Sequence, residues 1–233
     1  MPTTKPKNRI LAALPPKEWK LIKPLCQPIE LINGRELTEG GEPLTHVYFP
    51  ESGIISTVSV FESGDVAEIA TTGREGMVSV AAVLGADRAL HRSIVQMPGS
   101  AFMIDIQSFR RLQRDLPAFQ TELLAYSRAF LGQIMQFVAC NGVHSVEERC
   151  ARWLLMAHDR SDGDTFLLTQ EFLAQMLAVS RPAVNLVART LQRAGLIRYH
   201  RGQITILDRQ GLEEVCCECY GLIRQQYEQH QPG

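Results

Sequence analysis

The spacing of apolar positions changes along the chain, and each change marks a different kind of segment. Two short helical patches, Arg9–Leu14 and Lys17–Leu25, are separated by Pro15-Pro16 and closed by Pro24, because a proline removes a backbone donor and clashes with the preceding turn. From about Pro28 to Asp105 the texture becomes β-rich, with runs at Ile29–Ile32, His46–Phe49, Ile54–Phe61, Val66–Thr72, Arg92–Met97 and Ala101–Ile104. Breakers such as Asn33-Gly34, Gly40-Gly41, Ser63-Gly64-Asp65 and Pro98-Gly99 lie between them. Many short strands punctuated by turn residues predict a small antiparallel barrel or jelly roll.

After Asp105 the period becomes helical. Ile106–Asp115 reads as a short helix ended by Pro117, followed by a long one from Ala118 to about Cys140. In the long helix Leu124, Leu131 and Val138 lie seven apart, with Ile134 in the intervening heptad slot. More than half its circumference is apolar, so one face can cover the barrel while the seam meets a second copy of itself. The alternative is a single wide helix buried in a monomer. Asn141-Gly142 is expected to break this helix and to act as a hinge through His144. Ser145 followed by Glu148 fits a capping box opening the next helix, to about Asp159. The expected division is therefore 1–116, a roll with N-terminal helices, 117–142, a dimer helix and hinge, and 143–233, a C-terminal module.

Residues Gln170 to Leu191 place Leu173, Leu177, Val179, Val184, Val187 and Leu191 at the spacing of two short helices crossing about a tight turn. Thr169 is a natural N-cap and Glu171 favours the positive helix end. Ser180 caps the second helix, with Pro182 in its first turn, where a missing N–H costs nothing. Ala178 occupies the turn position usually given to glycine, which calls for a left-handed residue at a cost of roughly 1 kcal/mol. Gly195 ends the second helix. Leu196–Tyr199 and Gln203–Leu207 then flank His200-Arg201-Gly202 as a hairpin with a basic tip. Helix, turn, helix and two-stranded wing make a winged helix-turn-helix, whose second helix fits a major groove. A helical hairpin of no DNA-binding role is the competing reading of the periodicity alone. The fold class expected is α+β: an N-terminal antiparallel β-roll, a long dimerisation helix and a C-terminal winged helix-turn-helix.

Composition modifies this only locally. The chain is 45% hydrophobic and 21% charged with a net charge of −1, ordinary for a globular protein. From Arg181 to Arg209 six arginines (181, 189, 193, 198, 201 and 209) face the single acid Asp208, a candidate footprint for phosphate. No apolar run is long enough to span a bilayer and the first residues do not read as a signal peptide, so a cytoplasmic protein with no membrane partner is expected. Six cysteines in such a chain are expected to be free thiols. If Cys216 to Cys219 were helical, Cys216 and Cys219 would share a face and His230 could add a ligand. A closed zinc site needs four ligands, so no metal and no cofactor is expected. An enzyme is not expected either. The roll segment has only His46 and His91, without an H-x-H pair for a small-barrel metalloenzyme, and Gly-x-Ser-x-Gly and P-loop signatures are absent. A module that uses the winged domain to bind protein is a further alternative, separable by salt-sensitive duplex binding.

The stretch TQEFLAQMLAVSRPAVNLVARTLQRAGLIRYHRGQITILD, residues 169–208, resembles the DNA-binding domain of the CRP/FNR family of transcription regulators, and SVEERCARWLL, residues 145–155, resembles the helix leading into it. The β-rich segment and the long helix fall where that family has its cyclic-nucleotide-type roll and dimer helix. The resemblance implies a homodimer on double-stranded DNA, with RNA polymerase a candidate partner and the effector unknown. It implies that Arg181 reads a guanine and Ser180 bonds a phosphate. Pro182 stands where a glutamate is usual, and Leu186 where the family has a second base-reading arginine. Asn185 could read adenine, and Thr169, Gln170, Arg189, His200 and Arg201 could touch backbone. In the roll, Glu75, Met77, Arg92 and Ser93 are the candidate effector-pocket positions. Arg92 and Ser93 match the phosphate-binding pair, but Met77 replaces the ribose-binding glutamate, and a thioether cannot replace a carboxylate for a buried hydroxyl. Cyclic-AMP gating is therefore not expected, and Arg92 is expected to pair with Glu75 or Asp87. With only Cys26 before residue 140, the N-terminal iron–sulfur cluster of FNR-type sensors is ruled out.

Overall fold

The structure, a computed structural model, describes residues 5–228. It opens with helices α1 (Arg9–Ala13) and α2 (Pro16–Ile22), followed by strands β1 (Gln27–Leu31), β2 (Glu36–Thr38), β3 (His46–Pro50), β4 (Ile54–Val60), β5 (Val66–Thr72), β6 (Arg92–Met97) and β7 (Gly99–Asp105). One antiparallel sheet has the order β1-β7-β3 and another the order β2-β6-β4-β5. The sequence-based runs correspond to these strands within a few residues. β2 has no counterpart among them, since three residues around a bulge carry no readable alternation. Leu31, Tyr48, Ile55, Val78, Val95 and Ala101 form a core between strands.

Helices α3 (Ile106–Asp115) and α4 (Pro117–Val143) follow. The α4 N-terminus is capped from α2: Glu18 accepts from the amides of Ala118 and Phe119 at 3.2 and 2.9 Å, an anion at the positive helix end. Phe119 packs on Phe49 and Phe109. A Cβ on Gly76 would collide with the Tyr126 ring of α4, so packing against this helix is enough to require a glycine there.

The expected break at Asn141-Gly142 does not occur. Both residues lie within α4, and the His144 amide still donates to the Cys140 carbonyl at 3.0 Å. A helical glycine costs only about 1 kcal/mol. Ser145 ends the run instead: its side chain caps α5 (Val146–His158), and Glu148 returns a bond to the Ser145 amide at 2.7 Å. Asn141-Gly142 therefore supplies no backbone break at which a hinge could form. In the single chain Leu124, Leu131 and Val138 are exposed, Val138 by 71%, and Met135 is exposed beside them, while Ile134 is half-buried.

Strand β8 (Thr165–Leu167), helices α6 (Gln170–Leu177) and α7 (Arg181–Arg193), strands β9 (Ile197–His200) and β10 (Gln203–Ile206), and helices α8 (Arg209–Val215) and α9 (Cys219–Glu228) complete the chain. The wing is a three-stranded sheet, β8-β10-β9. β8, like β2, is too short for its period to be read from sequence. The described residues form two compact units, residues 5–57, 71–131 and 227–228 in one, and 58–70 with 132–226 in the other. In the second unit the Trp153 indole donates to the buried Glu68 carboxylate at 3.0 Å.

Candidate nucleic-acid interface

Local backbone devices set the angle between α6 and α7. Thr169 accepts from the Phe172 amide at 3.1 Å and Ser180 from the Ala183 amide at 3.4 Å, so each helix start has its own cap. Between them Ala178 adopts φ 51 and ψ 49, the left-handed turn expected of it. Val184, Val187, Ala188 and Leu191 are buried. The opposite face of α7 offers Arg181, Pro182, Leu186, Arg189, Thr190 and Arg193 to solvent, with Asn185 half-buried. Leu186 is 69% exposed, which packing does not explain.

Tyr199, which the sequence reading did not single out, ties three segments together. Its hydroxyl donates to the Leu168 carbonyl at 3.0 Å. Its amide donates to Gln192 of α7 at 2.9 Å. Burial holds the phenol above its ordinary pKa, opposed by the Gln170 amide and the positive charge of Arg181. An aromatic in a wing strand gives no sequence signal for this, since it equally suits a sheet core. The wing turns on Arg201-Gly202, both at positive φ (49 and 76), with His200 paired to Gln203. That is a tight two-residue hairpin turn. The Gly202 carbonyl accepts from the Leu168 amide at 2.8 Å. Leu168, Tyr199, Gln192 of α7 and the wing turn are thus hydrogen-bonded along one rim, with exposed Ser180 and Arg181 at the start of α7.

Arg181, Arg189, Arg193, Arg198 and Arg201 are exposed, and none has a carboxylate partner among the described residues. Arg209, the sixth arginine of the basic run, is different: it bridges Asp159 at 2.7 Å and Glu213 at 2.9 Å and lies over the Tyr220 ring. It ties α8 to the end of α5 and leaves the surface charge to the other five.

In the roll, Arg92 pairs with neither Glu75 nor Asp87. It meets Glu39 at 2.6 Å and Glu36 at 3.1 Å, while Asp87 holds Arg110 at 2.5 Å. Glu36 belongs to the unread strand β2, which pairs beside β6, and this is why the sequence hid the contact. Glu75 turns back to accept from the Gly73 amide at 2.9 Å. Met77 is 0% exposed and Ser93 is buried.

The cysteines also assemble differently. Cys216 is the extended C-cap of α8, and α9 starts only at Cys219, so these two do not share a helix face. Cys217 and Cys219 instead meet Cys140 and His144, with all four candidate ligand atoms within 4.8 Å of one another. His230 lies outside the described residues. Among the described residues no helix is long and apolar enough to cross a membrane.

Residues 29–115 match the family model of the cyclic nucleotide-binding domain, and residues 148–215 that of the Crp-like helix-turn-helix domain. No curated protein matches by sequence. Among solved structures, FixK2 from Bradyrhizobium japonicum superposes with a TM-score of 0.72 at 15% identity, covering 82% of this chain and 98% of that one. A transcriptional regulator of the CRP family from Thermus thermophilus gives 0.67 at 17% identity, covering 80% and 95%. The c-di-GMP-responsive global regulator CLP of Xanthomonas campestris gives 0.65 at 15% identity, covering 82% and 98%. At these identities the structures speak for the fold. The two sequence models supply the rest, and with both domains present in this order the chain belongs to the CRP/FNR family of transcriptional regulators.

Proposed function

We propose that this regulator binds a near-palindromic operator as a homodimer, reading it with the first turns of α7, and that cyclic AMP does not gate it. The observation that carries the reading is Arg181. It is an exposed, carboxylate-free guanidinium at the start of a helix held by its own cap, by the left-handed Ala178 and by Tyr199 of the wing. Exposure and the lack of a carboxylate partner support a bidentate contact with guanine O6 and N7. Ser180, Thr169, Gln170, Arg189, His200 and Arg201 are assigned to the phosphate backbone. Pro182 and Leu186 offer only apolar contact, for which a thymine methyl is the matching feature, and Asn185 is suited to adenine. The half-site should therefore differ from one read by two arginines.

Dimerisation is assigned to α4 through Leu124, Leu131, Ile134 and Val138, whose spacing suits a helix–helix seam and of which Leu124, Leu131 and Val138 are exposed and Ile134 half-buried. Two reading helices would then enter successive major grooves about 34 Å apart. Functionally, residues 1–116 are the sensor roll, 117–142 the dimer helix and 143–233 the DNA-reading module. Glu36 and Glu39 already neutralise the guanidinium that a cyclic phosphate would need, and the ribose position is a sunken thioether. These features support a roll that answers to another effector. RNA polymerase is the partner through which a bound dimer would act, in a cytoplasmic setting. Selection of bound sites from random duplexes with the purified chain, repeated with and without cyclic AMP, tests the reading. A bipartite site with one-turn spacing, selected equally in both conditions, is expected. A monomeric site, or one selected only with the nucleotide, would overturn it.

A further inference from the structure

We infer that Cys140, His144, Cys217 and Cys219 form a mononuclear zinc site that clamps the end of α4 to the junction between α8 and α9. Cys140 sits in the last turn of α4, and the His144 amide still bonds the Cys140 carbonyl, so both side chains issue from one side of the helix end. Cys217 lies in the short non-helical joint after Val215, and Cys219, two residues on, is the first residue of α9. Three sulfurs and one imidazole are the donor set of a closed, four-coordinate structural zinc site.

The spacing fits. Bond lengths of about 2.3 Å for Zn–S and about 2.0–2.1 Å for Zn–N give tetrahedral edges of about 3.8 Å for S···S and about 3.6 Å for S···N. Cys140 Sγ lies 3.6 Å from Cys217 Sγ, and Cys219 Sγ lies 3.6 Å from His144 Nδ1. No pair of the four ligand atoms exceeds 4.8 Å. A cluster of several metal atoms would set its ligands further apart, because they bind different atoms.

The surroundings supply a second, independent line. His144 turns Nδ1 to the sulfurs and Nε2 to the Glu218 carboxylate, at 3.2 Å. A carboxylate accepting from the far nitrogen is the usual partner of a metal-bound imidazole, since it fixes the tautomer and leaves the near nitrogen's lone pair for the metal. Gln136 donates to Cys219 Sγ at 3.0 Å, as expected for a sulfur carrying negative charge. Three thiolates and Zn²⁺ leave a net charge of −1. Two cations, buried Arg152 and half-buried Arg149, are close enough to the sulfurs for electrostatic coupling: Arg152 acts on Cys140, and Arg149 on Cys140 and Cys217. Neither has a carboxylate partner among the described residues, and the Nε of each is buried without an acceptor. Arg152 is only 2% exposed. Its guanidinium lies over the Phe137 ring at 3.9 Å and donates to Met156 Sδ at 3.6 Å, neither of them a negative charge; a buried cation without an anion is costly, and an anionic metal centre supplies one.

The test uses the full chain, reduced anaerobically, stripped with chelator and reconstituted. Elemental analysis should find about one zinc per chain. Cobalt(II) in its place should give the intense visible bands of tetrahedral thiolate coordination. Both signals should persist in Cys216→Ser and vanish in Cys217→Ser and His144→Ala. Glu218→Gln should keep the cobalt spectrum but weaken zinc binding roughly tenfold, a change that a purely structural carboxylate would not produce. The idea is overturned if folded wild-type protein takes up no stoichiometric zinc or cobalt, if the cobalt spectrum is octahedral, or if the anaerobically purified chain holds a Cys140–Cys217 disulfide in place of metal.

Discussion

Arg181→Ala separates base reading from mere phosphate attraction. The side chain is exposed and unpaired among the described residues, and the helix keeps its Ser180 cap without it, so folding stability should move by no more than about 0.5 kcal/mol. A bidentate guanine contact is worth about 1–3 kcal/mol. Two copies on a near-palindrome make that about 2–6 kcal/mol, a loss of roughly thirty-fold at the low end and beyond ten-thousand-fold at the high end. A phosphate contact behaves differently: it weakens all duplexes alike and lowers the slope of log affinity against log salt by about 0.9 per contact, about 1.8 per dimer. Fluorescence anisotropy on the selected duplex, and on the same duplex with its guanine replaced, at several salt concentrations, resolves the two. The variant should lose affinity for the first duplex, lose little for the second and keep its salt slope. Equal losses on both with a flatter slope, or no loss at all, would refute the assignment of α7 as the reading element.

Four further outcomes follow from the structure. Ala178→Gly removes left-handed strain of about 1–2 kcal/mol but adds about 0.4–1 kcal/mol of unfolded-state entropy; a stability unchanged or raised by up to about 1.6 kcal/mol is expected in urea titration, and a clear loss would mean the turn is not strained. Asp at both Leu131 and Val138, exposed in the single chain, should yield folded monomers by analytical ultracentrifugation, whereas an intact dimer would place the seam elsewhere. Met77→Glu puts a carboxylate at a fully buried position; it should destabilise the roll by about 1–3 kcal/mol without conferring cyclic-AMP binding by calorimetry, and acquired binding would show the position to be open to ligand. Trp153→Phe removes one donor from buried Glu68 and should cost about 1–3 kcal/mol, with faster amide exchange in residues 58–70; unchanged exchange would mean that the hairpin tip is held by other contacts.

What could be read from the sequence was what short-range chemistry writes there. The caps Thr169, Ser180 and Ser145, the left-handed Ala178 and the helical periods each depend on residues within one or two turns, and each is found in the structure. The misses are long-range or energetically close. Arg92 finds Glu39 across 53 positions of sequence, through a strand too short to detect. Cys140 meets Cys217 across 77 positions, and the intuitive pairing of Cys216 with Cys219 fails because α8 ends before Cys216 and α9 begins only at Cys219. Asn141-Gly142 misleads because a glycine's small penalty yields to a helix whose hydrogen bonds run on past it, the His144 amide still reaching the Cys140 carbonyl.

The same contrast separates the parts of the reading unit. Its frame is specified redundantly: two caps, a left-handed turn, the Tyr199 bonds to Leu168 and Gln192, and a hairpin turn beside Thr169 all hold α7. The side chains on that frame are not so constrained, because Arg181, Pro182, Leu186 and Arg189 face solvent and folding does not select their identity. A rigid frame with a free outer face lets base preference change without refolding. Leu186 illustrates the consequence on the proposed reading. A large apolar side chain 69% exposed at the centre of a polar helix face adds nothing to the core, and leucine can neither donate to nor accept from a base edge. Its favourable option in a groove is to exclude water against an apolar atom, and the thymine methyl is the one that base pairs offer there. Preference at that step would then be set by burial, little affected by salt, while the contact at Arg181 remains the polar determinant.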